Sequence, residues 1–249
     1  MALEANRVAA GEGVNWYLRA WRLFLKNPVQ WVLLFLAPML AALALFLVLP
    51  RLGTLVVSLL GPVVGAGLYH AARTADEGGE PNLSMLLEGF RRREATSPLL
   101  ILGVIALAVT FAADLLGRRM LGAMFSGLDM GDGGMPMPHV GFGGLFGLLL
   151  VLLVEFAIAI AFLYAVPLVW FKGAAPVDAI RASFSGSLTN FLPLLVFGLI
   201  GGVLMFLAIL PMMLGLLLLA PVMLLAMYYS YQSIFGGARA SAADPAVLS

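Results

Sequence analysis

Long apolar runs alternate along this chain with short segments in which polar and apolar positions interleave. Six runs stand out, at 28–50, 52–72, 98–116, 145–171, 191–210 and 211–235. Each is close to or above the ~20 residues that a helix needs to cross the hydrocarbon core of a bilayer. None shows the period-two alternation of a membrane β-strand, so each run predicts a helix, whose backbone hydrogen bonds close within the segment. The first two runs are split only by Pro50, Arg51 and Gly53, and the last two by Pro211 alone. Such tight breaks predict helical hairpins with their turns near one membrane face. A single very long span is the competing reading, which the prolines and the combined lengths oppose.

The interleaved segments precede the hairpins. In the first, Tyr17, Leu18, Trp21, Phe24 and Leu25 share one helical face, and Arg19, Arg22 and Lys26 share another. In the second, Leu83, Leu86, Leu87 and Phe90 fall at i, i+3, i+4 and i+7 after a Pro81-Asn82 start signal. In the third, Val177, Ile180 and Phe184 repeat the stripe after Pro176, with Asp178, Arg181 and Ser185 outward. Each predicts an amphipathic helix lying in the membrane interface.

This suggests an internal repeat of one surface helix followed by two spans. Asn27-Pro28 opens the first hairpin, and Asn190 with Pro193 opens the third. The second spans of those units carry Gly61-Pro62-Val63 and Ala220-Pro221-Val222, each followed by a tyrosine, Tyr69 or Tyr228. The middle unit matches less well, because its later proline, Pro167, falls elsewhere in its span. The predicted fold is all-α: a polytopic membrane bundle of about six transmembrane helices in hairpins, each preceded by an amphipathic interfacial helix. A single membrane domain is expected over 1–235, with a Gly- and Met-rich loop at 117–144. The small-residue tail at 236–249 is expected to be disordered and cytoplasmic.

Composition agrees with this pattern. Of 249 residues, 62% are hydrophobic and 11% charged, with a mean hydropathy of +1.04. An ordinary soluble domain holds about 45–50% apolar and about 25% charged residues. Too little polar surface exists to coat a soluble globule. A net charge of +1 without a basic stripe excludes nucleic acid as a partner class, and the absence of cysteine excludes thiolate chemistry. Residues 1–27 are too charged for a cleavable signal peptide, so the first apolar run is expected to act as an uncleaved insertion signal. With both ends inside, 11 of the 14 Lys and Arg fall on the cytoplasmic side, leaving Arg51, Arg118 and Arg119 outside. That bias predicts cytoplasmic termini.

The stretch Trp21-Arg22-Leu23-Phe24-Leu25-Lys26-Asn27-Pro28 resembles the opening of a family of proteobacterial inner-membrane proteins of unknown function. Gly61-Pro62-Val63-Val64-Gly65-Ala66-Gly67-Leu68, Gly79-Glu80-Pro81 and Glu88-Gly89-Phe90-Arg91 continue the likeness. Tyr228-Tyr229-Ser230-Tyr231-Gln232-Ser233-Ile234-Phe235-Gly236 resembles that family's close. More distantly, the hairpin pattern is similar to the membrane domain fused to some bacterial glycerophosphodiester phosphodiesterases. The catalytic domain of those enzymes is absent here, so the resemblance implies topology and a bacterial inner membrane, and no activity.

Few residues offer chemistry. Glu155 lies roughly 12 Å along the helix that starts at Gly147, where a charge costs on the order of 3 kcal/mol on insertion scales. It is either a proton, cation or substrate contact within the bundle, or a protonated carboxyl bonded to a neighbouring hydroxyl or carbonyl. Arg91, Arg92 and Arg93 precede a span on the cytoplasmic side and are candidate contacts for anionic lipid head groups, although topology alone explains the same charges. Met135, Met137 and His139 close the Met-rich loop. Thioethers with an imidazole suit Cu(I) or Ag(I), but a flexible loop whose methionines pack on the bundle is the plainer account. Asp114 and Arg118, at i and i+4, are expected to form a boundary ion pair. His70 near a span end is expected to be an interface histidine. Gly61/Gly65 and Gly198/Gly202 would permit close helix approach.

Walker-type, zinc-protease and nucleophile-elbow motifs are all missing from the sequence. The expectation is a non-enzymatic integral inner-membrane protein that organises lipid or partner proteins. A transporter or lipid-translocating protein using Glu155, and periplasmic metal binding through the methionine loop, are the alternatives. The expected partners are membrane lipids and either a second copy or another membrane protein, with no cofactor.

Overall fold

The computed structural model describes residues 3–125 and 142–236. Its helices are α1 (Glu12–Lys26), α2 (Pro28–Val48), α3 (Pro50–Asp76), α4 (Glu88–Arg91), α5 (Arg93–Phe125), α6 (Phe142–Phe162), α7 (Ala165–Lys172), α8 (Pro176–Thr189), α9 (Phe191–Ile209) and α10 (Leu216–Phe235). A 3-10 turn, Leu83–Leu87, leads into α4. No strand occurs among the described residues. Six helical stretches are long and apolar enough to cross a membrane: α2, α3, α5, α6 with α7, α9 and α10. The all-α polytopic bundle expected from the hydropathy pattern is therefore the observed architecture. Two sequence expectations lie outside the described residues, namely the structure of most of the methionine loop and that of the tail from residue 237.

Local chemistry explains the element ends. Pro28, Pro50 and Pro176 open α2, α3 and α8, where a missing N–H costs nothing because the first-turn donors have no helical partner. Gly173 ends α7 in the left-handed region (φ 64), which glycine enters without penalty. The loop expected at 117–144 is narrower than that, because α5 continues to Phe125 and α6 begins at Phe142. The last hairpin also departs from the sequence reading. Pro211 does not start a helix; residues 210–215 form a turn in which Met212 and Met213 adopt φ of 53 and 67. Pro211 cannot donate to the preceding turn, and reversing the chain there forces two non-glycine residues into a disfavoured region.

The span of α6 and α7 breaks at residues 163–164. Ser183 of α8 explains the break. Its hydroxyl accepts from the Tyr164 backbone N–H (2.9 Å) and donates to the Ile160 carbonyl (2.8 Å). A side chain thus stands in the position of the helical bond from residue 164 to residue 160, and Pro167 removes the next donor but two.

The three surface segments pack on the spans. Each packs on the hairpin preceding it in a closed cycle: the 3-10 turn and α4 on α3, α8 on α6 and α7, and α1 on α10 and α9. In α1, Trp16, Ala20, Leu23 and Phe24 are buried, while Leu18, Trp21 and Leu25 are exposed. The Trp16 indole donates to Ser233 (3.0 Å). Burial pushes the Tyr17 hydroxyl up to about 12, so it stays protonated and can donate to the Phe197 carbonyl (3.1 Å). In α8 the packed face is Ala179, Ser183, Gly186 and Ser187; Val177 and Phe184 of the predicted stripe are exposed. The second segment is too short to be the amphipathic helix expected. Asn82 caps a 3-10 turn by accepting from the Ser84 N–H (3.1 Å), and only four residues of α-helix follow.

Both ends of the described chain lie on one face. The Asn6 N–H donates to the Ile234 carbonyl (2.8 Å), and Asn190 clasps the same strand of chain by accepting from Val8 N–H and donating to the Asn6 carbonyl (both 2.9 Å). The ends of α3, α7 and α10 and the start of α5 sit on this face with all three surface segments.

Candidate functional site

On that face a cleft of about 330 Å³ opens between α3, α4 and α7. His70, Arg73, Thr74 and Glu77 line it from α3, at spacings that put them on one helical face. Glu88 and Arg92 come from α4 and the residue just after it, and Trp170 and Phe171 from the end of α7. Two glycines allow these elements to close up. A side chain at Gly67 would strike the backbone of Met85 and Leu86, and one at Gly89 would strike the Val63 carbonyl. Thr96 fixes the bend after α4 by donating to the carbonyl of Gly89 (2.8 Å) or Arg92 (3.0 Å).

The walls pair cations with rings. The Arg73 guanidinium lies 5.5 Å from the Phe171 ring centre, and that of Arg92 lies 5.3 Å from Trp170. Such contacts contribute about 0.5–1 kcal/mol each at exposed sites. Arg92 also donates to the Trp170 carbonyl (3.3 Å), and His70 meets Trp170 edge-on at 6.0 Å. Two carboxylates are already engaged: Glu77 accepts from Arg73, and Glu88 from Arg91, both at 2.8 Å. Arg92 makes no ion pair among the described residues, whereas both glutamates of the lining are taken by other arginines. A guanidinium held over an indole, with donors left over, suits a phosphate or carboxylate oxygen.

Beside the cleft, Asp76 gathers donors from α10. It accepts from Tyr229 (2.7 Å), Gln232 (3.1 Å) and Tyr228 (3.4 Å), and Gln232 also bonds the Tyr228 hydroxyl. This knot fixes the end of α3 against α10 and so holds the Arg73 wall in place.

The sequence candidates distribute unevenly. Of the three consecutive arginines, only Arg92 enters the cleft; Arg91 pairs with Glu88, and Arg93 is exposed. Glu155 is exposed on α6, without a hydrogen bond or ion pair among the described residues, rather than turned into the bundle as either sequence reading required. Met135, Met137 and His139 lie outside the described residues. Arg118 and Asp114 form the expected pair at 2.8 Å. Gly61, Gly198 and Gly202 face no neighbouring atoms within 4 Å; helices approach closely at Gly103 instead, where α5 meets the Leu59 backbone of α3. Sequence reasoning missed Arg73, Glu88, Trp170 and Phe171 as one site. The Trp-Phe-Lys ending of α7 has the look of an interfacial belt, but nothing in sequence joins it to residues 70–92.

A stretch of 120 residues is 32% identical to a protein of Burkholderia thailandensis named a probable inner membrane protein; it covers 46% of this chain and 44% of that protein. The chain thus spans less than half the length of that relative. No protein-family model matches the chain, and no solved structure is significantly similar to it. With six apolar helices and this relative, the chain is a multi-pass inner-membrane protein. Nothing in the comparisons supports the likeness to the phosphodiesterase membrane domain.

Proposed function

We propose that this protein is a non-enzymatic organiser of the inner membrane that holds phospholipid head groups in the cleft between α3, α4 and α7. The supporting observation is Arg92, a cation over the Trp170 ring that makes no ion pair among the described residues, in a cleft where α3 and α7 end. A phosphodiester at Arg92 would keep its acyl chains along the apolar flanks of the spans, in a cleft that His70 and Arg73 also line. The positive-charge bias supports a cytoplasmic position for this face and for both termini. A C-terminal reporter active only in the cytoplasm checks that sidedness.

The binding test is native mass spectrometry or lipid titration of the detergent-solubilised protein, with phosphatidylglycerol or cardiolipin against phosphatidylcholine. Anionic lipid is expected to bind preferentially. Arg92→Ala should weaken that binding roughly tenfold, the loss of one charge-assisted contact. Equal binding of all three lipids, or an anionic preference untouched by Arg92→Ala, removes the reading.

A further inference from the structure

The exposed face of α6 combines an apolar seam with one ionisable group at mid-membrane depth. Leu145, Leu148, Leu152, Glu155 and Ala159 follow one another at spacings of three, four, three and four residues, and all five are exposed. That spacing is the seam on which one further helix packs at a crossing angle of about 20°. Leu145 and Leu152 are 60% and 57% exposed, and Leu149 and Phe156 flank the seam at 63% and 48%. Within the seam sits one ionisable group. Glu155 lies ten residues beyond Leu145, about 15 Å along the axis, half the depth of a ~30 Å core.

Lipid offers this carboxyl no partner, and no hydrogen bond or ion pair reaches it from the described residues. Among the described residues the Lys and Arg of the spans sit towards their ends: Arg51, Arg73, Arg93, Arg118, Arg119 and Lys172. A second copy related by a two-fold axis along the membrane normal would set Glu155 against Glu155, without the opposite charge that a cationic side chain brings. We propose that the α6 seam docks a transmembrane helix of another protein carrying a Lys, Arg or His at mid-membrane depth, with Glu155 as its counter-ion. The leucines supply the packing surface, and the carboxylate fixes depth and partner choice, since a helix without a matching donor leaves a charge or a proton stranded in hydrocarbon. This is independent of lipid binding in the cleft.

The test uses the full chain in phosphatidylcholine vesicles, labelled through one cysteine introduced as Ser84→Cys, since the protein has none. The probes are two synthetic leucine-rich spans, identical except for a central Lys or Leu, and association is read by energy transfer. The Lys helix should associate roughly tenfold more tightly than its Leu twin. Glu155→Gln should abolish that difference while leaving helicity and gel-filtration behaviour unchanged. Leu148→Trp, which blocks the seam and spares the carboxyl, should weaken both probes. Equal association of the two probes overturns the proposal, as does a Lys preference that survives Glu155→Gln. Glu155-dependent dimers counted by single-molecule photobleaching would assign the face to a second copy and overturn it too.

Discussion

α10 and α6 are both apolar membrane helices, and they sit in opposite surroundings. α10 is the least apolar of the six spans, and 56% of its most apolar stretch is buried within the protein. The span containing α6 is the most apolar, and 6% of the corresponding stretch is buried. α10 presents Tyr228, Tyr229, Ser230, Tyr231 and Ser233 to its neighbours. Its serines and several of its tyrosine hydroxyls find donors or acceptors on other elements: Trp16, Tyr164 and Asp76. α6 presents leucines and phenylalanines outward. The ordering that governs soluble proteins is reversed here. Hydrocarbon solvates apolar side chains as well as a protein core does, so they gain little by burial. Hydroxyls, indoles and small residues have no partner in lipid and therefore collect inside. Glu155 is the exception on the α6 side, exposed and without a hydrogen bond or ion pair among the described residues.

Substitutions can break or sharpen this contrast. The largest effect is expected for Trp16→Ala. Trp16 is fully buried between α1 and α10, stacks edge-on against Phe197 at 5.9 Å and donates to Ser233. Its removal should cost about 3–5 kcal/mol, read as the shift in reversible unfolding of the detergent-solubilised protein in SDS. Ser183→Ala comes next. It strands the Tyr164 N–H in a fully buried position, although Ser187 still donates to the Ile160 carbonyl (3.3 Å). A loss of about 1–2 kcal/mol is expected in the same assay. The smallest effect belongs to Leu153→Ala on α6, where the side chain is 62% exposed. It should stay within about 0.5 kcal/mol. A leucine at this position costing as much as Trp16 would mean that α6 is not lipid-facing, and the contrast between the two helices would fall.

The surface helices show where reading from sequence stopped. The stripe chosen for α1 was Tyr17, Leu18, Trp21, Phe24 and Leu25, the most hydrophobic face, and only Tyr17 and Phe24 of it are buried. The stripe chosen for α8 has the same fault. The packed positions there are Ala179, Ser183, Gly186 and Ser187, which carry almost no hydropathy. Amphipathic patterns locate the face that avoids water. They do not tell a lipid interface from a protein neighbour, because both accept apolar side chains.

Hydropathy by itself determined that this chain crosses a membrane, how many times, and where the hairpins fall, because a ~30 Å layer of hydrocarbon imposes a length and a polarity on every segment that enters it. It also marked Asp114 with Arg118, whose pairing needs only the pitch of one helix. Tertiary structure alone decided which arginine of residues 91–93 meets Trp170, which serine replaces a helical bond at Tyr164, and that Glu155 looks outward. Those contacts join residues 19 and 78 positions apart, or depend on the rotation of a helix about its axis. In lipid, hydropathy leaves that rotation undefined, since nearly every face of a span such as α6 is equally apolar.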